Sequence, residues 1–141
     1  MASLVRLVTS VDANDAVAND RLISVSARHE AELEDGRRVL LLDDRGWSES
    51  GPAGIWRMTS VEDIALTART VVGPDEPYSG RTYTDMAAGH WATLAGTLRQ
   101  QGVAADAAEL ERLPHDVVLG KRLLERLAGH DRGGRGPIIP T

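Results

Sequence analysis

Apolar and polar residues alternate with little interruption from Ile23 to Leu33. Ile23, Val25, Ala27, Ala31 and Leu33 occupy odd positions, and Ser24, Ser26, Arg28, Glu30 and Glu32 the even ones. A period of two is what a β-strand needs to set one face on a core and the other in water. Glu34-Asp35-Gly36 then supplies a turn, with Gly36 free to take the left-handed conformation that closes a three-residue loop. That loop sets Ala31 opposite Val39 and His29 opposite Leu41, whereas a two-residue loop would set Leu33 against Arg38. A hairpin is therefore predicted over 21–44. Its second strand carries Val39-Leu40-Leu41-Leu42, apolar on both faces as in a central strand covered on both sides. Were one face open, Leu40 and Leu42 would be exposed on it and would favour a dimer.

The remaining pattern supplies the partners of this hairpin. Leu4 to Val11 is apolar and rich in β-branched residues, and predicts a first strand. Ile55-Trp56-Arg57-Met58 predicts a short fourth one. From Ser60 the period changes to helical: Val61, Ile64, Ala65, Ala68, Val71 and Val72 follow an N-cap serine with Asp63 three residues on, and Gly73-Pro74 stops the element. A second helix is predicted from Thr84 through the stripe Ala87, Trp91, Leu94, Ala95 and Leu98, ending before Gly102. Asp106 caps a third segment that Pro114 breaks. Helix is predicted again over 116–128, with Val117-Val118-Leu119 extended as the alternative. Strands first and helices afterwards predict an α+β domain: a small antiparallel sheet of three or four strands around the hairpin, with about three helices packed on one face. The domain spans 1–128, and 129–141 forms a tail rich in Gly, Arg and Pro.

Composition narrows the function classes. The chain has 141 residues, a net charge of −5 and no cysteine, which leaves no disulfide, thiolate metal site or cysteine nucleophile. Its basic residues are 15 arginines and the single Lys121, without a stripe that could neutralise phosphates, which argues against nucleic-acid binding. No apolar run reaches the roughly 20 residues of a membrane span, and the start, Met1-Ala2-Ser3-Leu4-Val5-Arg6, lacks the pattern of a secretory signal, so a cytoplasmic protein is expected. Phenylalanine is absent, so Leu, Val, Ala and three tryptophans must fill the core.

Candidate chemistry is sparse. The sequence holds no phosphate-binding glycine loop, nucleophile elbow or paired-histidine metal helix, and no cofactor is expected. His29 falls on the apolar face of the hairpin, where a neutral imidazole serves as a ligand, a base or a hydrogen-bonded core residue. His90 adjoins Trp91 beside the second helical stripe, and His115 follows Pro114; were the three brought together they would form a metal site. Asp43, Asp44 and Arg45 at a strand end could hold a cation or set an acid beside a base, although Asp before Gly is also ordinary turn chemistry. Trp47, Trp56 and Tyr78 are the candidate binding aromatics, Trp47 above all because Gly46 and Ser48 flank it. In the tail, Ile138-Ile139 between prolines could add an edge strand or dock in a groove.

The expectation is a small acidic binding or regulatory protein without catalytic activity, acting through protein contacts with itself as a homodimer or with another protein. The rival is a small enzyme or ligand-binding domain whose His/Asp/Arg pocket lies between sheet and helices. Two of those polar groups would have to converge in a concave, partly apolar pocket for the rival to stand.

Overall fold

A computed structural model describes residues 3–14, 21–77, 79–128 and 138–139. The hairpin organises the molecule. Strands β1 (Leu4–Ala13), β2 (Leu22–Leu33) and β3 (Arg38–Ser50) form an antiparallel meander. The turn closes as a three-residue loop: Leu33 N–H donates to Arg37 O at 2.8 Å, and Gly36 has φ 90°. Ala31 pairs with Val39 as the loop length dictates.

Beyond that point β3 departs from the predicted register. His29 pairs with Leu42 rather than Leu41, and the register shifts on both sides of His29. Two extra residues of β3 are taken up there, so Leu41 and Leu42 both reach the apolar side and the parity is restored at Arg45 opposite Ala27. The apolar run of β3 therefore does not mark a central strand: β3 lies at the sheet edge, in the order β3-β2-β1-β4-β5. Asp43 to Gly46, expected as a turn, continue the strand to Ser50. Gly46 permits this, because a Cβ there would lie 2.5 Å from Val25 O on the neighbouring strand.

The helices follow their capping signals. The helix α1 (Val61–Val71) starts from a capping box between Ser60 and Asp63, and α2 (Tyr83–Gln100) from one between Thr82 and Asp85, one residue earlier than its apolar stripe suggests. Asp106 caps α3 (Ala107–Arg112). Ile55–Met58, predicted as a strand, instead makes one turn of 3₁₀-helix after Gly54, whose φ is 81°. The predicted helix over 116–128 divides: β4 (His115–Leu119) is extended and α4 (Lys121–Ala128) follows Gly120. Strand β4 runs parallel to β1, which makes the sheet mixed. Packing against β1 overrides helical propensity there, with Val117 and Leu119 both buried. Ile138–Ile139 of the expected tail pairs with β4 as a two-residue β5.

One face of the sheet is covered and carries two apolar clusters. Strand β2 runs without a break in its pairing to β1 from Val25 to Ala31, so its odd residues share a face. Ile23, Val25 and Ala27 pack with α1, α4 and the 3₁₀ turn; Ala31 and Leu33 pack with α2 and α3. The helices thus cover one face in two halves, and Leu42 touches both clusters. On the opposite face Arg6 joins three strands: its guanidinium grips Glu32 in a bidentate pair at 2.8 and 3.1 Å and reaches Asp116 at 2.5 Å. The hydrogen bond from Arg6 holds the Glu32 carboxyl below its ordinary pKa, and the same pair raises that of Arg6.

Gly46→Ala should lower the unfolding free energy by about 1–3 kcal/mol, because the added methyl must push β3 away from β2. Urea unfolding measures this, and an unchanged midpoint would contradict the close approach of the two strands.

Candidate functional site

Between the two apolar clusters the covered face carries a polar row. On β1 the odd positions Leu7, Thr9 and Val11 point to the helices, and on β2 Ala27, His29 and Ala31 do so. Thr9 and His29 face each other across the pair, with 0% and 1% of their surface exposed. The parallel register of β4 brings in His115 from the other side, two residues out of step with Thr9. The Thr9 hydroxyl lies 2.9 Å from His29 Nδ1 and 2.6 Å from His115 Nε2, and the two rings are 5.0 Å apart.

This geometry fixes the chemistry of the row. A threonine hydroxyl has one proton to donate, so it donates to one imidazole and accepts from the N–H of the other. Both rings are neutral. Burial pushes His29 down to about 3, with His115, His90 and Arg45 adding to the effect; burial and then Arg69 push His115 down to about 4. A base that titrates this low does little proton transfer near neutral pH, and one nitrogen of each ring is already committed to Thr9. The row is a hydrogen-bonded part of the core. The core role of His29 was one of the readings its sequence position allowed; Thr9, which completes it, was missed. Its signal was a lone polar residue inside the stripe Leu7, Thr9, Val11.

The other candidates separate. His90 on α2 is half-buried, stacks edge-on against Trp91 with centroids 5.0 Å apart, and has an Nε2 that is buried and makes no hydrogen bond among the described residues. Burial lowers its pKa, and Arg45 adds to this while Asp75 opposes it. Arg45 Nη1 donates to Val71 O at 3.3 Å and to Asp75 at 3.2 Å, tying β3 to the end of α1. Arg45 and His90 line one cleft of about 310 Å³ between β3 and α2, together with Leu42, Met86 and Leu94. Asp43 and Asp44 are exposed; Asp44 lies 3.6 Å from Arg45, and Asp43 belongs to a wider groove of about 660 Å³ with Ser10, Ser26 and Arg28. Trp56 is a core residue beneath Arg126, 5.7 Å from its ring centre. Trp47 is half-buried and lines a groove with Met58 and Leu66. Tyr78 lies outside the described residues. Among the described residues no three His, Asp or Glu side chains group as metal ligands, so His29, His90 and His115 form no such site. No helix among them is long and apolar enough to cross a membrane.

Compared with protein-family models, curated proteins and solved structures, the chain matches none of them.

The neutral row has a measurable cost in acid. In the unfolded chain His29 and His115 bind protons near pH 6.5, and in the folded chain only near 3 and 4. The unfolded state therefore carries more protons across this interval, and stability must fall as the pH drops below about 6.5. Chemical unfolding between pH 7 and 5 should show close to two protons taken up by His29 and His115, a loss from this pair approaching about 2.7 kcal/mol per pH unit. His90, also held low by burial, adds in the same direction. A stability that stays level from pH 7 to 5 would contradict the buried neutral pair. The carboxylates held low, Glu32 and Asp35, act only below this window.

Proposed function

We propose that the protein is a non-catalytic binding module of the cell interior that acts through protein contacts made at the β3 edge and the groove beside it. The observation that carries this reading is that two of the exposed large apolar side chains meet in one groove, while Val5 and Tyr83 lie apart from it. Met58 and Leu66 are 61% and 67% exposed, and both line the groove that holds Trp47. Burying such a group against a partner gains roughly 25 cal/mol per Å², and a tryptophan adds large area with few rotamers to freeze.

The main chain supports the same reading. No strand pairs with the outer side of β3 among the described residues, and Gln101 covers only its first half, by donating to Leu40 O at 3.3 Å. The second half, from Arg45 to Ser50, runs alongside the groove and offers its main-chain groups to an incoming strand. Glu49 and Asp63 line the groove, and the chain is acidic overall. A partner segment that alternates apolar with basic residues fits this surface. A second copy fits less well, because a two-fold interface sets the same acids against themselves. The inertness of the Thr9–His29–His115 row speaks for binding over catalysis.

Selection from a randomised peptide library on the immobilised protein tests this. Enriched peptides should alternate apolar and basic residues and bind Leu66→Glu at least tenfold more weakly than the wild type. Leu66 is exposed, so the substitution should leave the melting temperature nearly unchanged. Peptides that bind both proteins equally would overturn the assignment to this edge.

A further inference from the structure

The two edges of the sheet are finished differently. At the β4 edge the chain closes the sheet itself, with β5 (Ile138–Ile139). Leu7 N–H donates to Pro114 O at 2.8 Å, and Gly120 N–H donates to Val11 O at 2.7 Å. Hydrogen bonding alternates along a parallel ladder, so Asp116 and Val118 turn their main-chain groups to β1, and His115, Val117 and Leu119 turn theirs outward. Arg69 on α1 donates to the outward carbonyl of His115 at 3.1 Å. Ile139 lies opposite Val117 and Ile138 opposite Val118, and β5 pairs with no other residue of β4 among the described residues.

This closure is slight. A strand of two residues beside an outward-facing valine makes a single hydrogen-bonded pair, Val117 with Ile139. Pro137 and Pro140 stand on either side in the sequence, and proline has no N–H with which to extend the pairing. Short strands and prolines at an edge are the means by which sheets are kept from adding further strands. A segment held by so few bonds is also among the first to open in a native protein.

The edge that β5 covers is self-complementary. An antiparallel pairing of β4 with β4 of a second copy, centred on Val117, sets Val117 against Val117, His115 against Leu119 and Asp116 against Val118. No acid meets itself there, and Arg6 already neutralises Asp116. The β3 edge has no such match, because its groove carries Glu49 and Asp63. A carbonyl accepts two hydrogen bonds, so the Arg69 contact at His115 is compatible with an incoming amide. A two-fold axis normal to the sheet also keeps the helices of both copies on one side. We propose that the β4 edge is a latent interface for a second copy of this chain, held closed by Ile138–Ile139, and that opening of β5 lets the two β4 strands pair across a two-fold axis. This interface is independent of the β3 groove and stands or falls separately.

Amide hydrogen exchange and sedimentation velocity on the full chain test this. The Val117 amide, which faces β5, should be protected about a hundredfold less than the Val118 amide, which faces β1. Equal protection would overturn the proposal, since β5 would then open only with the sheet. Ile139→Pro removes the amide opposite Val117 and should form a dimer about tenfold more tightly than the wild type. Adding Val118→Glu sets an acid against Asp116 of the second copy and should undo that gain, whereas Val118→Lys should keep it. A folded Ile139→Pro that associates no better than the wild type would overturn the proposal. Association indifferent to the sign of the charge at 118, or loss of the fold in Ile139→Pro, would overturn it equally.

Discussion

The Thr9 hydroxyl is the contact on which the arrangement of the core depends. It lies on the covered face of the sheet and satisfies a ring nitrogen from each of two histidines, 2.9 and 2.6 Å away. One of them comes from the antiparallel neighbour and the other from the parallel one, so this single group ties β2, β1 and β4 across the middle of the sheet. Leucine or valine at Thr9 would leave two buried nitrogens unmatched, at roughly 1–3 kcal/mol each. The polar row also explains why the apolar residues fall into two clusters and why the helices divide into two pairs above them.

The same row shapes the outer strand. His29 is flanked on both sides by shifts in the pairing to β3. The two residues gained there bring Leu42 against both clusters and set Arg45 and Trp47 opposite Ala27 and Val25, two positions along β2 from where an unbroken register would put them. The cleft with Arg45 and the groove with Trp47 thus take their positions along the sheet from one irregularity, placed where the core turns polar. The covered face is otherwise ordinary packing, and the opposite face is held by the Arg6 grip on Glu32 and Asp116.

Local signals were legible in the sequence and non-local ones were not. The alternation from Ile23 to Leu33, the turn at Gly36 and the caps at Ser60 and Asp106 each act within a few residues, and each is realised. What the chain does not show locally is which distant segment pairs with β1. Val117-Val118-Leu119 reads as helix or strand until β1 is present to receive it, and only the parallel register brings His115 to Thr9. The bulges were hidden for the same reason: Leu41-Leu42-Asp43-Asp44 has no glycine to announce them, and a run of apolar residues there mimics a central strand. The site residues followed suit. His29 and Trp47 stood out by position, whereas the role of Thr9 between His29 and His115 shows only once β4 is paired with β1.

That His29 and His115 are a neutral, fixed pair rather than an acid and a base is the claim on which the account of the core rests. Imidazole ¹⁵N NMR of the folded protein through a pH titration from 8 to 5 tests it most directly. Both rings should stay neutral throughout, each held in a single tautomer by the Thr9 hydroxyl. A histidine at either position that gains a proton near pH 6.5 while the fold persists would contradict the buried neutral row, and would reopen the case for proton-transfer chemistry.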